Sequence, residues 1–145
     1  MKDAFGGILN LFLISLFLII VSGILALTVN YTKAFRMKNA VISAVEQYEG
    51  YGCFTSGADT SCKQKIKVEA KRIGYHMVSL SCSESGYENI DDLYCYKENS
   101  SPNEQNSDRY YSIVTQVDID IPIIKKMLGL SFFQVHGDTR NIRVR

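Results

Sequence analysis

Residues 4–32 carry no charged side chain, and this stretch limits the chain's folds more than any other. Its core, residues 5–29, reads FGGILNLFLISLFLIIVSGILALTV, and Asn10 is its one strongly polar residue. A helix needs about 20 consecutive apolar residues to cross a bilayer. Lipid offers an open backbone no partner, so a crossing segment of this kind is helical. From Tyr31 onward the pattern becomes amphipathic. Ala34, Met37, Val41, Ala44, Val45 and Tyr48 recur at spacings of three and four, with no proline between them. Gly50 and Gly52 are the first stop signals. The spacing predicts one rod of roughly 45 residues, about 68 Å long. Its first half suits lipid, and its second half offers one apolar stripe to a soluble head.

A signal peptide is the competing reading of this N-terminus. Its apolar region usually spans about 7–15 residues before small residues at a cleavage site. The run here is longer, and Leu25-Ala26-Leu27 is a poor cleavage site. An uncleaved single-pass anchor is therefore expected over residues 1–32, an amphipathic continuation over 33–50 and a head over 51–145. The head's length suits one small domain. A net charge of +1 gives no global field that argues for nucleic acid.

Cys53, Cys62, Cys82 and Cys95 all lie in the head. An even count behind a membrane segment points to disulfides in an oxidising compartment. Three pairings are possible, of which 53–62 with 82–95 is the simplest, because each closes a short loop. Zinc is an alternative, although no C-x2-C spacing is present, and reduced buried thiols are another. Lys33, Arg36 and Lys38 follow the apolar run, and the positive-inside rule by itself directs that flank to the cytosol. The cysteines argue for an extracytoplasmic head and are given more weight.

The head reads in order as follows. Asp59, Thr60 or Ser61 caps a helix over residues 62–73, ended by Gly74. Cys62, Ile66, Ala70 and Ile73 share one face of it. Lys63, Lys65, Lys67, Lys71 and Arg72 occupy much of the rest, a basic face read as solvated surface. Residues 76–82 (HMVSLSC) alternate as a strand, 83–90 form a turn, and 91–97 (DDLYCYK) form a second strand. Cys82 and Cys95 are placed to cross-link that hairpin. Residues 98–108 hold no apolar side chain and read as a loop. Tyr111, Ile113, Thr115, Val117, Ile119 and Ile121 give the cleanest alternation in the chain, a long strand with one buried face that Pro122 ends. Residues 122–130 suit one or two helical turns. Phe132 to His136 is a further strand, broken or bulged at Gly137-Asp138, and 139–145 extend it.

No catalytic set emerges. His76 and His136 lie outside any HExxH pattern, and no P-loop, GxGxxG or GxSxG occurs. Asp118 and Asp120, with Asp91, Asp92 or Glu88, are a candidate calcium site, weighed against a solvated strand face. The sequons at Asn30 and Asn99 carry little weight. The reading is a non-enzyme with no cofactor, no metal, no small-molecule substrate and no nucleic-acid partner.

A charge-free N-terminal helix that runs into an amphipathic half and a small antiparallel head resembles type IV pilins and pseudopilins. The C-terminal order YYSIVTQVDIDI, PIIKKMLGL and FFQVHGDT is similar to the TadE-like minor pilins of tad/Flp pilus systems. The resemblance covers both ends of the chain, not its cysteine-bearing middle. It implies an α+β, pilin-like fold, with a four-stranded, mostly antiparallel sheet packed on the long helix. It implies the membrane, other pilin subunits and an assembly platform as partners. In the family a subunit leaves the membrane and packs its helix against others in a filament core. Pilin precursors have a Gly before the processing cut and usually a Glu at the fifth mature position. Here Gly6 or Gly7 would precede the cut, and a cut after Gly7 makes Ile8 the first residue and Phe12 the fifth. No acid stands in the segment, and Asn10 is the group there able to make a helix–helix contact in assembly.

Overall fold

The computed structural model describes residues 2–55, 57, 60–75, 82, 85–100, 108–118, 126 and 132–143. A single helix, α1 (Lys2–Gln47), spans 46 residues, about 69 Å at 1.5 Å per residue. It ends three residues before Gly50, the first expected stop, and the left-handed cap falls on the residue just before that glycine. Glu49 adopts a left-handed φ of 50°, and the Gly50 amide reaches back to the Val45 carbonyl at 2.8 Å. That i to i−5 bond closes the last turn as a Schellman motif does.

Helix α2 (Ser61–Ile73) packs on α1. Thr60 stands at its N-cap, but the hydroxyl donates to the Gly52 carbonyl, so it ties the preceding loop rather than capping an amide. Gly74, at φ 66°, ends the helix as expected, and the Tyr75 amide bonds the Ala70 carbonyl at 2.9 Å.

The sheet has four antiparallel strands in sequential order: β1 (Glu88–Ile90), β2 (Tyr94–Ser100), β3 (Asp108–Asp118) and β4 (Phe132–Asp138). β5 (Ile142–Arg143) continues the β4 edge along β3. Ala34, Met37, Val41, Ala44 and Val45 on α1 are all buried, and Tyr48 packs beside them. They meet Ile113 and Tyr111 of β3, Val135 of β4 and Ile66 of α2 in one core. The three- and four-residue spacing turns one stripe of α1 toward the head, and burying it is the main stabilising term.

Several boundaries differ from the sequence reading. Residues 88–90, expected in a turn, form β1, and the turn is Asp91-Asp92-Leu93. Asp91 and Asp92 take left-handed φ values of 49° and 53°, which Asp tolerates better than most residues. Glu98, Asn99 and Ser100, expected in a loop, pair with Tyr111, Tyr110 and Arg109. Backbone pairing at the sheet tip needs no apolar side chain.

No break occurs at Gly137-Asp138, where both residues stay paired to β3. The bulge lies just beyond. Residues 139–141 face only Tyr110 and Tyr111, between the Ser112–Asp138 and Arg109–Ile142 pairs. Thr139 repairs the ladder there. Its amide donates to the Tyr111 carbonyl, and its hydroxyl accepts the Tyr111 amide, both at 2.9 Å.

The strand expected over residues 76–82, the connection over 122–130 and Ile119, Asp120 and Ile121 fall on residues outside those described, apart from Cys82 and Lys126.

Candidate membrane span and assembly surface

The N-terminal half of α1 is bare. Ile8, Leu11, Phe12 and Phe17 are 64–69% exposed, and none of the most apolar window is buried within the chain. A core helix of a soluble protein would be covered, so this surface needs lipid or another chain. By length and composition the segment is sufficient to cross a membrane, a property it shares with signal sequences near an N-terminus. Three of its hydroxyls are satisfied within the helix. Ser22 donates to the Ile19 carbonyl at 2.9 Å, Thr28 to Ile24 at 2.9 Å and Thr32 to Thr28 at 2.8 Å. Such bonds remove the penalty of a polar group in hydrocarbon. Gly6, Gly7, Ile8 and Asn10 all lie on the continuous helix and are exposed. A Cβ on Gly6 or Gly7 would meet no atom within 4 Å.

The other half of α1 is locked to the head by polar as well as apolar contacts. The Thr115 hydroxyl donates to the Ala34 carbonyl at 3.1 Å, both residues being fully buried. Glu46 accepts the Arg140 amide at 3.0 Å and pairs with its guanidinium at 3.5 Å, fixing the bulge to the end of α1. Gly137 lets β4 approach closely, since a Cβ there would stand 2.7 Å from Lys38 Cδ and 3.0 Å from Ile42 Cδ1. The two halves of α1 thus have opposite surroundings within one unbroken element.

Two disulfides, Cys53–Cys62 and Cys82–Cys95, join the cysteines in the local pairing. The first closes the loop between the helices inside the main core. The second ties the segment before β1 to β2, on the sheet face away from α1, beside Val114 and Tyr87. That face is covered too, so Val114 and Gln116 are buried along with Tyr111, Ile113 and Thr115. The strict one-face alternation read for β3 holds only toward α1.

Lys63 departs furthest from the sequence reading. Its position among the basic residues of α2 predicts a solvated side chain, yet it is 2% exposed. Its ammonium donates to the Thr55 carbonyl at 2.6 Å and lies 2.7 Å from Asp91 Oδ2. One cation therefore joins the cystine loop, α2 and the β1–β2 turn. The hydrogen bond from Lys63 holds the Asp91 carboxyl below its ordinary range, with the nearby Lys67 charge adding to it.

Tyrosines line the same end. Tyr94 is fully buried and donates to the Cys53 carbonyl at 2.5 Å, and burial raises its phenol well above the usual range. Tyr96 donates to Glu88 at 2.7 Å. Burial first, then that carboxylate, pushes its pKa up to about 12. Phe54 stacks on Tyr96 at 4.2 Å between ring centroids and tilts against Tyr111 at 4.4 Å.

Three of the acidic residues considered for calcium are separately engaged: Glu88 by Tyr96, Asp91 by Lys63, and Asp92 by the Asn89 side chain at 2.7 Å. Among the described residues, no three metal-ligating side chains converge. Asn99 of the second sequon donates to Ser112 Oγ at 2.8 Å. His136 is exposed on β4, and His76 and Asp120 lie outside the described residues.

Tyr75 and Thr139 went unread in the sequence. For Tyr75 a signal existed, because the residue two past a helix end at Gly commonly packs back on the last turn. Compared with protein-family models, curated proteins and solved structures, the chain shows no significant match to any of them.

Proposed function

We propose that the chain is a non-enzymatic, membrane-anchored, pilin-like subunit that contributes to assembly of a tad or type IV-like pilus or secretion filament, its head extracytoplasmic. One observation carries this reading. A single 46-residue helix is bare and apolar along its first half and serves as the core of a disulfide-stapled antiparallel head along its second. Such a helix is held in lipid by its exposed half. It can exchange lipid for neighbouring helices without refolding the head, because no head residue packs on the exposed half's most apolar window.

The absence of any carboxylate from residues 4–32 favours a second reading, a permanent single-pass anchor whose head binds a partner without polymerising. The N-terminus of the mature protein separates the two, read by mass spectrometry of its terminal peptide from native membranes. A start at Gly7 or Ile8, particularly an N-methylated one, supports a processed pilin. An intact Met1 or Lys2 removes the pilin reading in favour of the permanent anchor.

A further inference from the structure

We infer that the groove between α1 and α2, at the point where α1 leaves its apolar half, holds the phosphate headgroup of an anionic phospholipid. The inference rests on the membrane-anchored reading of α1. Two adjoining hollows of about 340 and 300 Å³ lie there, and Arg36 and Ile73 line both. The hollow nearer the apolar segment is walled by Thr28, Val29 and Thr32, with Lys33 and Arg36 at its rim. The other adds Arg72 and Glu69.

Charge and depth argue together. Thr32 is the last residue of the charge-free stretch, so Lys33 and Arg36, one and four residues further on, are the first cations past the apolar span, at the level where lipid phosphates lie. Ile73 ends α2 against this segment, which brings Arg72 to the same groove. The single lining carboxylate, Glu69, pairs with Arg72 at 3.3 Å. Among the described residues, neither Lys33 nor Arg36 has a carboxylate partner. A guanidinium presents a fork that matches phosphate oxygens. Directly below, Leu25 and Val29 are 61% and 55% exposed, and they offer acyl chains a continuous apolar track. A free phosphate ion would gain nothing from that track, so the occupant is a lipid. The same groove accounts for the basic flank of the span without placing the head in the cytosol.

The test reconstitutes the full chain into nanodiscs of equimolar phosphatidylcholine and phosphatidylglycerol. Native mass spectrometry then identifies the lipid released with the chain. Phosphatidylglycerol should be retained in preference. The substitution R36Q should reduce that preference about five-fold, the effect of one cation near a membrane surface. R36Q/R72Q should reduce it further, whereas K97Q, on β2, should leave it unchanged. Both arginines are exposed, so the fold does not depend on them. Equal retention of the two lipids, a preference indifferent to R36Q, or displacement of the lipid by inorganic phosphate overturns the inference. A chain that enters neither lipid's bilayer overturns the anchor itself, a result distinguishable from insertion without preference.

Discussion

The hydroxyl of Tyr75 serves both backbone groups of Gln116. It donates to the carbonyl at 2.6 Å and accepts the amide at 3.0 Å. The pairing of β2 with β3 begins at Cys95 and Val114, so Gln116 stands where a strand partner has run out. A side chain from beyond α2 takes the missing strand's place, and its burial holds the phenol well above the ordinary tyrosine range. The substitution Tyr75→Phe keeps the ring and leaves two buried backbone groups unpaired. Denaturant unfolding of the detergent-solubilised chain should show a loss of about 1–3 kcal/mol. The Gln116 amide should exchange its hydrogen markedly faster. An unchanged exchange rate would show that water replaces the hydroxyl.

The Lys63–Asp91 contact predicts an asymmetry. Asp91→Asn keeps an acceptor oxygen but leaves the buried Lys63 ammonium without a counter-charge, and should destabilise by about 1–3 kcal/mol. Lys63→Met fills the same space without a charge and leaves a carboxylate that reaches water, so the loss should be smaller. The double variant should recover part of the Asp91→Asn loss. The pH dependence has a fixed sign. The folded-state pKa of Asp91 is depressed, so its contribution is complete above the unfolded value of about 3.9 and disappears as pH falls through the folded value. A stability profile rising toward acid pH would contradict the pairing.

The two disulfides should differ in accessibility. Cys53 and Cys62 are 0% and 1% exposed, whereas Cys82 is only half-buried. Mild reductant followed by alkylation and peptide mapping should label Cys82 and Cys95 first. Replacing Cys53 and Cys62 together by Ala should destabilise the head by about 2–4 kcal/mol. Simultaneous labelling of all four thiols would mean that the core opens before either bond is reached.

Gly137 should tolerate little growth. An Ala methyl meets the flexible stem of Lys38 and the tip of Ile42, and a small shift of Lys38 relieves it. A Val presses β4 away from α1 and should lower stability by about 1–3 kcal/mol. Thermal unfolding of the two variants checks the order. Equal stability of Val and wild type would show that β4 has slack against the helix.

The core stripe of α1 was legible because its period is a property of the helix alone. Ala34, Met37, Val41, Ala44 and Val45 all meet the head as their spacing requires. The α1-facing side of β3 was legible for the same reason. Lys63 was not, since its burial depends on Asp91, nearly thirty residues away in sequence. β1 is three residues long, too short to show alternation, and an acidic turn beside it hid its end. The bulge was expected at a glycine, yet it sits where the Thr139 hydroxyl can stand in for a backbone acceptor. The glycine instead serves close packing. Gly6, Gly7 and Asn10 are placed on the helix by sequence and structure alike, but a bare apolar surface has the same appearance before lipid as before a neighbouring subunit.

The continuity of α1 makes it a drive shaft between its bare half and the head. No hinge lies between Asn10 on the bare half and Ala34 under the sheet, so the azimuth of one dictates the azimuth of the other. Each residue added between Thr32 and Ala34 would turn the head by about 100° around the axis and raise it by about 1.5 Å. Whatever grips the bare half therefore also decides which side of the head faces its neighbours.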